Sequence, residues 1–160
     1  MESGSPYRLI DLLLKHEVPF VVIGGHAVTF HGYVRSTEDV DIVFQRTDDS
    51  EDSLLDALLE VHAKWIGNEI DPETQLERLH DVTIQYVRSS HVMMVVTDYG
   101  YLDIFDFIPG FPGEDVADLL ETAIDIERGK FASLEWLRRM KAASGRAKDK
   151  NDLEHLGENA

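Results

Sequence analysis

Phe20-Val21-Val22-Ile23 runs straight into Gly24-Gly25. β-branched and aromatic residues favour a pleated, buried strand, and two glycines end it in a tight turn. A helix is expected to follow over His26 to His31, with Gly32 closing it in a left-handed conformation. Thirteen residues beyond the turn the pattern changes to strict alternation. From Glu38 to Phe44, Val40, Ile42 and Phe44 share one face, and Asp39, Asp41 and Val43 share the other, so the segment reads as an amphipathic strand with its carboxylates outward.

The remaining periodicities frame this unit. Ser5-Pro6 caps a first helix reaching about His16, and Thr47 to Ser50 caps a helix over Ser50 to Ala63. Asp71-Pro72 starts a turn or a short helix, and Val82 to Val87 reads as a strand. His91 to Thr97 and Tyr101 to Ile108 form a hairpin about Asp98-Tyr99-Gly100, after which Pro109 to Gly113 closes the sheet. Helices are expected over Asp115 to Thr122, Ser133 to Ala143 and Asp149 to Leu156. No linker or repeat divides the chain, so residues 1–160 read as one domain with a core over about 6–126 and a basic helical part over about 127–157.

Charge and composition narrow the chemistry. Cysteine is absent, which excludes disulfides, thiolate metal sites and a nucleophilic thiol. A formal charge of −16 repels phosphate backbones and argues against a general nucleic-acid coat. The charge is uneven, however. Residues 128–150 hold eight basic and two acidic residues, so an anionic ligand is drawn to that end of the sequence, although a solvated helix face has the same composition. No leader pattern opens the chain and its longest apolar stretch, Val18 to Gly25, is far too short for a membrane span, giving the expectation of a cytoplasmic protein.

Asp39 and Asp41 sit at i and i+2, roughly 6–7 Å apart along one strand face. Their repulsion is relieved by a divalent cation, for which hard Mg²⁺ is the natural choice, or by hydration at a strand end. Gly24-Gly25, between a strand and a helix, offers backbone amides without Cβ obstruction to a phosphate, although such pairs also serve ordinary turns.

Together these residues carry a resemblance. The segment VVIGGHAVTFHGYVRSTEDVDIVF is similar to the signature of the DNA polymerase β type nucleotidyltransferase superfamily, in which a Gly-Gly turn and helix precede an Asp-x-Asp strand. The order Gly-Gly-x-Ala, His-Gly, Arg-x-Thr and Asp-x-Asp resembles small microbial members, including abortive-infection toxins. MKAASGRAKDKNDLEHL resembles the later part of the same families. The resemblance implies an α/β (α+β) nucleotidyltransferase fold, a mixed sheet flanked by helices with a short C-terminal helical segment. It also implies a third acid on a neighbouring strand. Asp103, flanked by Leu102 and Ile104 as Asp41 is by Val40 and Ile42, fits that place, and Asp106 lies on the opposite face.

By the same resemblance Asp39, Asp41 and Asp103 hold two Mg²⁺ ions, Gly24 and Gly25 cradle the triphosphate of an NTP, and Lys141 faces that triphosphate with Asp149 in support. Arg35 and Arg146 are further phosphate-binding candidates, and Lys148 stands beside them. His26 replaces the serine that usually follows the glycine pair, either donating to phosphate or packing the helix. The implied reaction moves an NMP from an NTP to an acceptor hydroxyl on an RNA end, a small molecule or a protein, releasing pyrophosphate. The alternatives are an inactive nucleotidyltransferase-like binding protein, such as one partner of a toxin-antitoxin pair with a cognate chain, and a Mg²⁺-dependent nuclease.

Overall fold

The computed structural model describes residues 5–32, 39–126 and 129–157. In chain order the elements are α1 (Ser5–Lys15), β1 (Phe20–Ile23), α2 (Gly24–Phe30), β2 (Val40–Phe44), α3 (Asp48–Glu60), β3 (Lys64–Ile70), β4 (Glu77–Asp81) and α4 (Ile84–Ser89). They continue with β5 (Val92–Thr97), β6 (Gly100–Phe105), α5 (Val116–Thr122), β7 (Ile124–Ile126), β8 (Gly129–Phe131), α6 (Leu134–Ser144) and α7 (Ala147–Gly157). The strands form one mixed sheet in the order β4-β3-β5-β6-β2-β1-β8-β7. Two pairings are parallel, β2 with β6 and β1 with β8, and the others are antiparallel.

Side-chain alternation decides what covers each face. Val40, Ile42 and Phe44 join Leu9, Ile10 and Leu13 of α1 and Leu54 and Leu58 of α3 in the larger core, which continues under Met93, Val95, Leu102 and Ile104. The opposite face is buried only in part. Val21, Ile23 and Val43 pack there against Leu119 of α5 and Trp136 and Met140 of α6. Val43 is fully buried, so the acid-bearing face of β2 is not turned to solvent along its whole length. A third cluster, Ala27 and Val28 with Leu137 and Leu156, ties α2 to α6 and α7.

Local capping explains most helix starts. Thr47 and Ser50 close a reciprocal capping box on α3, and Ser133 accepts from the amide of Trp136 on α6. β1 has the expected bounds, the β5–β6 hairpin turns at Asp98-Tyr99, and Gly32 has the expected positive φ. The departures are also local. Val82 to Val87 is not a strand: Thr83 accepts from the amide of Tyr86 and starts α4, leaving Val82 and Val87 as its buried anchors. Asp71 opens a turn, its carboxylate accepting from the Glu73 amide. α2 starts at Gly24 rather than His26, β6 ends at Phe105 rather than Ile108, and α7 begins at Ala147. β3, β4, β7 and β8 were not legible in the sequence.

Asp106 follows β6 and accepts from Arg46 Nε at 2.9 Å, with His91 Nδ1 2.8 Å away. Arg46 also binds Glu51 and the carbonyls of Val87 and Ser90, so Asp106 belongs to a clamp between α3, α4 and β6. No helix among the described residues is long and apolar enough to cross a membrane.

Candidate active site

Where β1, β2 and β6 meet α6 and α7, a cleft of about 820 Å³ opens. Strand register places the acids. Ile23 is the Cα partner of Asp41, and Asp41 is the partner of Asp103 across the parallel β2–β6 pair. Directly opposed residues project to the same side of a sheet. The Asp103 and Asp41 carboxyls lie within hydrogen-bonding reach of each other, and Asp39 lines the same cleft.

Their electrostatics follow from this crowding. Partial burial, then the neighbouring charge and hydrogen bond of Asp41, then Asp39, push Asp103 up to about 7. Asp41 is also raised, first by burial and then by Asp39, against the hydrogen bond from Asp103 and the positive fields of Lys141 and Lys148. One proton is therefore shared by the pair close to neutrality.

Gly24 makes the approach of Asp41 possible. Its φ is +70°, and a Cβ there would lie 2.2 Å from Asp41 Oδ2. Gly24 and Gly25 both line the cleft, whereas His26 is half-buried on α2 and does not. Arg35 lies outside the described residues.

The opposite wall is basic. Leu137, Met140, Lys141 and Ser144 recur at helical spacing along α6 and all face the cleft. Gly145, in the left-handed conformation, ends α6 and turns the chain so that Arg146, just before α7, and Lys148 and Asp149 at its start face the cleft again. Lys141 is buried and its Nζ lies 3.1 Å from both Asp149 Oδ1 and Asp152 Oδ2. Arg146 donates from Nε to Asp149 Oδ2 at 2.8 Å. Burial alone would raise Asp149, but hydrogen bonds from Arg146, Ser144 and Lys141 outweigh it and hold this carboxyl well below the usual carboxylate range.

Two residues here exceed what the sequence reading ranked. Asp152 is fully buried against Lys141, and the signal for it was the i, i+3 spacing from Asp149. Lys148 is exposed, lines the cleft and forms no carboxylate pair among the described residues, whereas Lys141 and Arg146 are both committed to acids.

The donor set suits a hard cation. Carboxylate oxygens are pressed together by strand register on a face where a glycine leaves room, and basic side chains stand opposite. Among the described residues no three His, Asp or Glu side chains already stand in a metal-holding arrangement.

The chain matches no protein-family model and no curated protein. Solved structures do resemble it. The antibiotic-resistance factor ANT(2'')-Ia superposes with a TM-score of 0.59 at 13% identity, over 98% of this chain and 84% of that one. An antigenic nucleotidyltransferase-like protein from Paracoccidioides brasiliensis gives 0.53 at 20% identity, over 97% and 74%. JHP933 from Helicobacter pylori gives 0.52 at 16% identity, over 99% and 68%. Identities this low speak for fold alone: the chain has the nucleotidyltransferase fold, a mixed sheet flanked by helices with a C-terminal helical segment.

Proposed function

We propose that the protein is a Mg²⁺-dependent nucleotidyltransferase that moves an NMP from an NTP to an acceptor hydroxyl and releases pyrophosphate. The observation that carries this reading is the Asp41–Asp103 pair facing a basic wall across one cleft. A carboxylate pair alone serves many ends, but acids opposite cations, with a diglycine turn between them, match the charge pattern of a metal-bound polyphosphate. The order Lys141, Arg146, Asp149 supports placing the chain in the small toxin-like branch of the superfamily.

Asp39, Asp41 and Asp103 would hold the metal, which when bound polarises the phosphoryl oxygens and offsets their charge. Gly24 and Gly25 present backbone where the phosphates approach. Lys148 is the exposed cation that meets the triphosphate, while Lys141 and Arg146, fixed by Asp149, set the positive potential of that wall. With a cation bound, the proton between Asp41 and Asp103 would pass to solvent, and the ionised Asp103 would take the proton of the acceptor hydroxyl as its oxygen attacks the α-phosphorus. The bond from that phosphorus to the bridging oxygen then breaks, and pyrophosphate leaves with the electron pair.

A thermal-shift panel of the four NTPs with and without Mg²⁺ tests the reading. Saturation at about 100 times Kd stabilises a protein by about 2.7 kcal/mol, or about 5–10 °C in a chain of this size. Pyrophosphate should accumulate with wild type and not with Asp41→Asn. A Mg²⁺-independent response to every NTP, or turnover by Asp41→Asn close to wild type, refutes it.

A further inference from the structure

Strand register gives the cleft a direction. β1 and β2 are antiparallel with Ile23 opposite Asp41, so Gly24 and Gly25, which follow Ile23, lie toward Asp39, just before β2. β2 and β6 are parallel, with Asp41 opposite Asp103 and Val43 opposite Phe105. Phe105 therefore stands on the acid-bearing face about 7 Å beyond Asp103, on the side away from the diglycine turn. The Asp41–Asp103 pair separates a phosphate-binding end of the cleft from an apolar one.

The apolar end is built from Phe105, Pro109 and Met140. Phe105 and Pro109 are half-buried. Phe105 packs on the cluster of Val43, Leu119, Trp136 and Met140, and Phe107 meets its ring edge-on with centroids 5.8 Å apart, which sets the tilt of the ring. α5 and α6 cover this face over β1, β2 and β6 and leave it open over β5, β3 and β4. Val92 on β5, the cross-strand partner of Phe105, is accordingly exposed.

Side chains that read the edge of a base are missing from this end. Among the described residues no Asn, Gln, Thr, His or Tyr lines the cleft. The acids face metal and phosphate, and Lys141 and Arg146 are tied to Asp149. The hydroxyl of Ser144 accepts from Arg146 Nε at 3.0 Å.

We infer that the nucleoside of the NTP lies over Phe105 between Pro109 and Met140, and that its base is selected by stacking area, so that ATP and GTP are accepted alike and both in preference to CTP and UTP. The inference rests on the nucleotidyltransferase reading above. An aromatic ring held in place attracts every base through its π-face, and a bicyclic purine covers more of that ring than a pyrimidine does. Telling adenine from guanine needs donors and acceptors at the base edge, which no described side chain at this end supplies.

The test is isothermal titration of the full chain, in Mg²⁺, with the α,β-methylene analogues of the four NTPs and with inorganic tripolyphosphate. The ATP and GTP analogues are expected to differ by less than about fivefold, and each to bind about fivefold or more tighter than the CTP and UTP analogues. Tripolyphosphate, which has no base, should bind more weakly than all four. Phe105→Leu should weaken the purine analogues about fivefold or more and bring purines and pyrimidines level, with tripolyphosphate binding as it does to wild type. Phe105→Tyr keeps the ring and should preserve the wild-type order. The fluorescence of 2-aminopurine riboside triphosphate gives a second readout that needs no variant, and it should be quenched on binding wild type. A larger than fivefold ratio between adenine and guanine, pyrimidines bound as tightly as purines, no quenching, or purine affinity unmoved by Phe105→Leu overturns the stacking subsite while Mg²⁺-dependent tripolyphosphate binding persists. Binding of neither tripolyphosphate nor any NTP analogue to wild type overturns the nucleotidyltransferase reading itself, and this inference with it.

Discussion

Asp41 and Asp103 are opposed Cα partners on parallel strands, and their carboxyls lie within hydrogen-bonding reach of each other. Two acids so placed are compatible only if a proton or a cation lies between them. This is a poor arrangement for stability and a useful one for catalysis.

Removing one acid should therefore stabilise the metal-free protein. Asp103→Asn is expected to raise Tm at pH 8 in chelator by about 2–4 °C, corresponding to about 1 kcal/mol, and to lose NMP transfer. Differential scanning calorimetry beside a pyrophosphate assay reads both, and a lowered Tm would show that Asp103 is a structural partner instead.

The pH dependence has a definite sign. An unfolded aspartate titrates at about 3.9. Asp103, pushed up to about 7, keeps its proton in the folded state after the unfolded chain has lost it. Its contribution to stability is fully present below about pH 4 and is lost as pH rises through 7. In chelator, the stability difference of Asp103→Asn over wild type should grow between pH 5 and pH 8, as measured by urea unfolding. A difference that is flat or shrinks over that range contradicts the shared proton.

Gly24 and Gly145 provide a matched pair. Their φ values are +70° and +67°, so an alanine meets similar backbone strain at either. Space for a Cβ is open at Gly145, whereas at Gly24 the new carbon strikes Asp41 Oδ2. Gly145→Ala should cost about 1 kcal/mol. Gly24→Ala should cost more, about 2–4 kcal/mol, and should abolish the Mg²⁺-dependent NTP shift. Equal losses in the two variants would deny the contact its role.

The two lysines should fail differently. Lys141→Ala leaves Asp149 and Asp152 buried with fewer cations to balance them and should destabilise by about 3–5 kcal/mol. Lys148→Ala, at an exposed position, should leave Tm within about 1 °C and weaken NTP binding about tenfold or more. Isothermal titration with a non-hydrolysable NTP and Mg²⁺ distinguishes them, and undiminished affinity in Lys148→Ala would return the phosphate-binding role to the buried lysine.

Much of the architecture was legible residue by residue because its causes are local. Phe20 to Ile23 could only be a buried strand before two glycines, Thr47 and Ser133 cap helices within three residues of themselves, and Asp98-Tyr99-Gly100 turns a hairpin. Val82 to Val87 misled because a short apolar run fits either period, and the Thr83 cap decided it. β7 and β8 are three residues each, and pairing rather than propensity makes them strands.

By itself the sequence determined the diglycine turn and the alternation that sets Asp39 and Asp41 on one face, since these depend on neighbours in the chain, while the candidacy of Asp103 followed from the family resemblance. Only the tertiary structure brought Asp103 against Asp41 across about sixty residues, split Lys141 from Lys148 into a buried and an exposed cation, and left half of the acid-bearing face open. Those outcomes depend on which strands pair and where α6 and α7 come to rest. That is settled by burying apolar surface common to distant segments, a quantity no local pattern of residues contains.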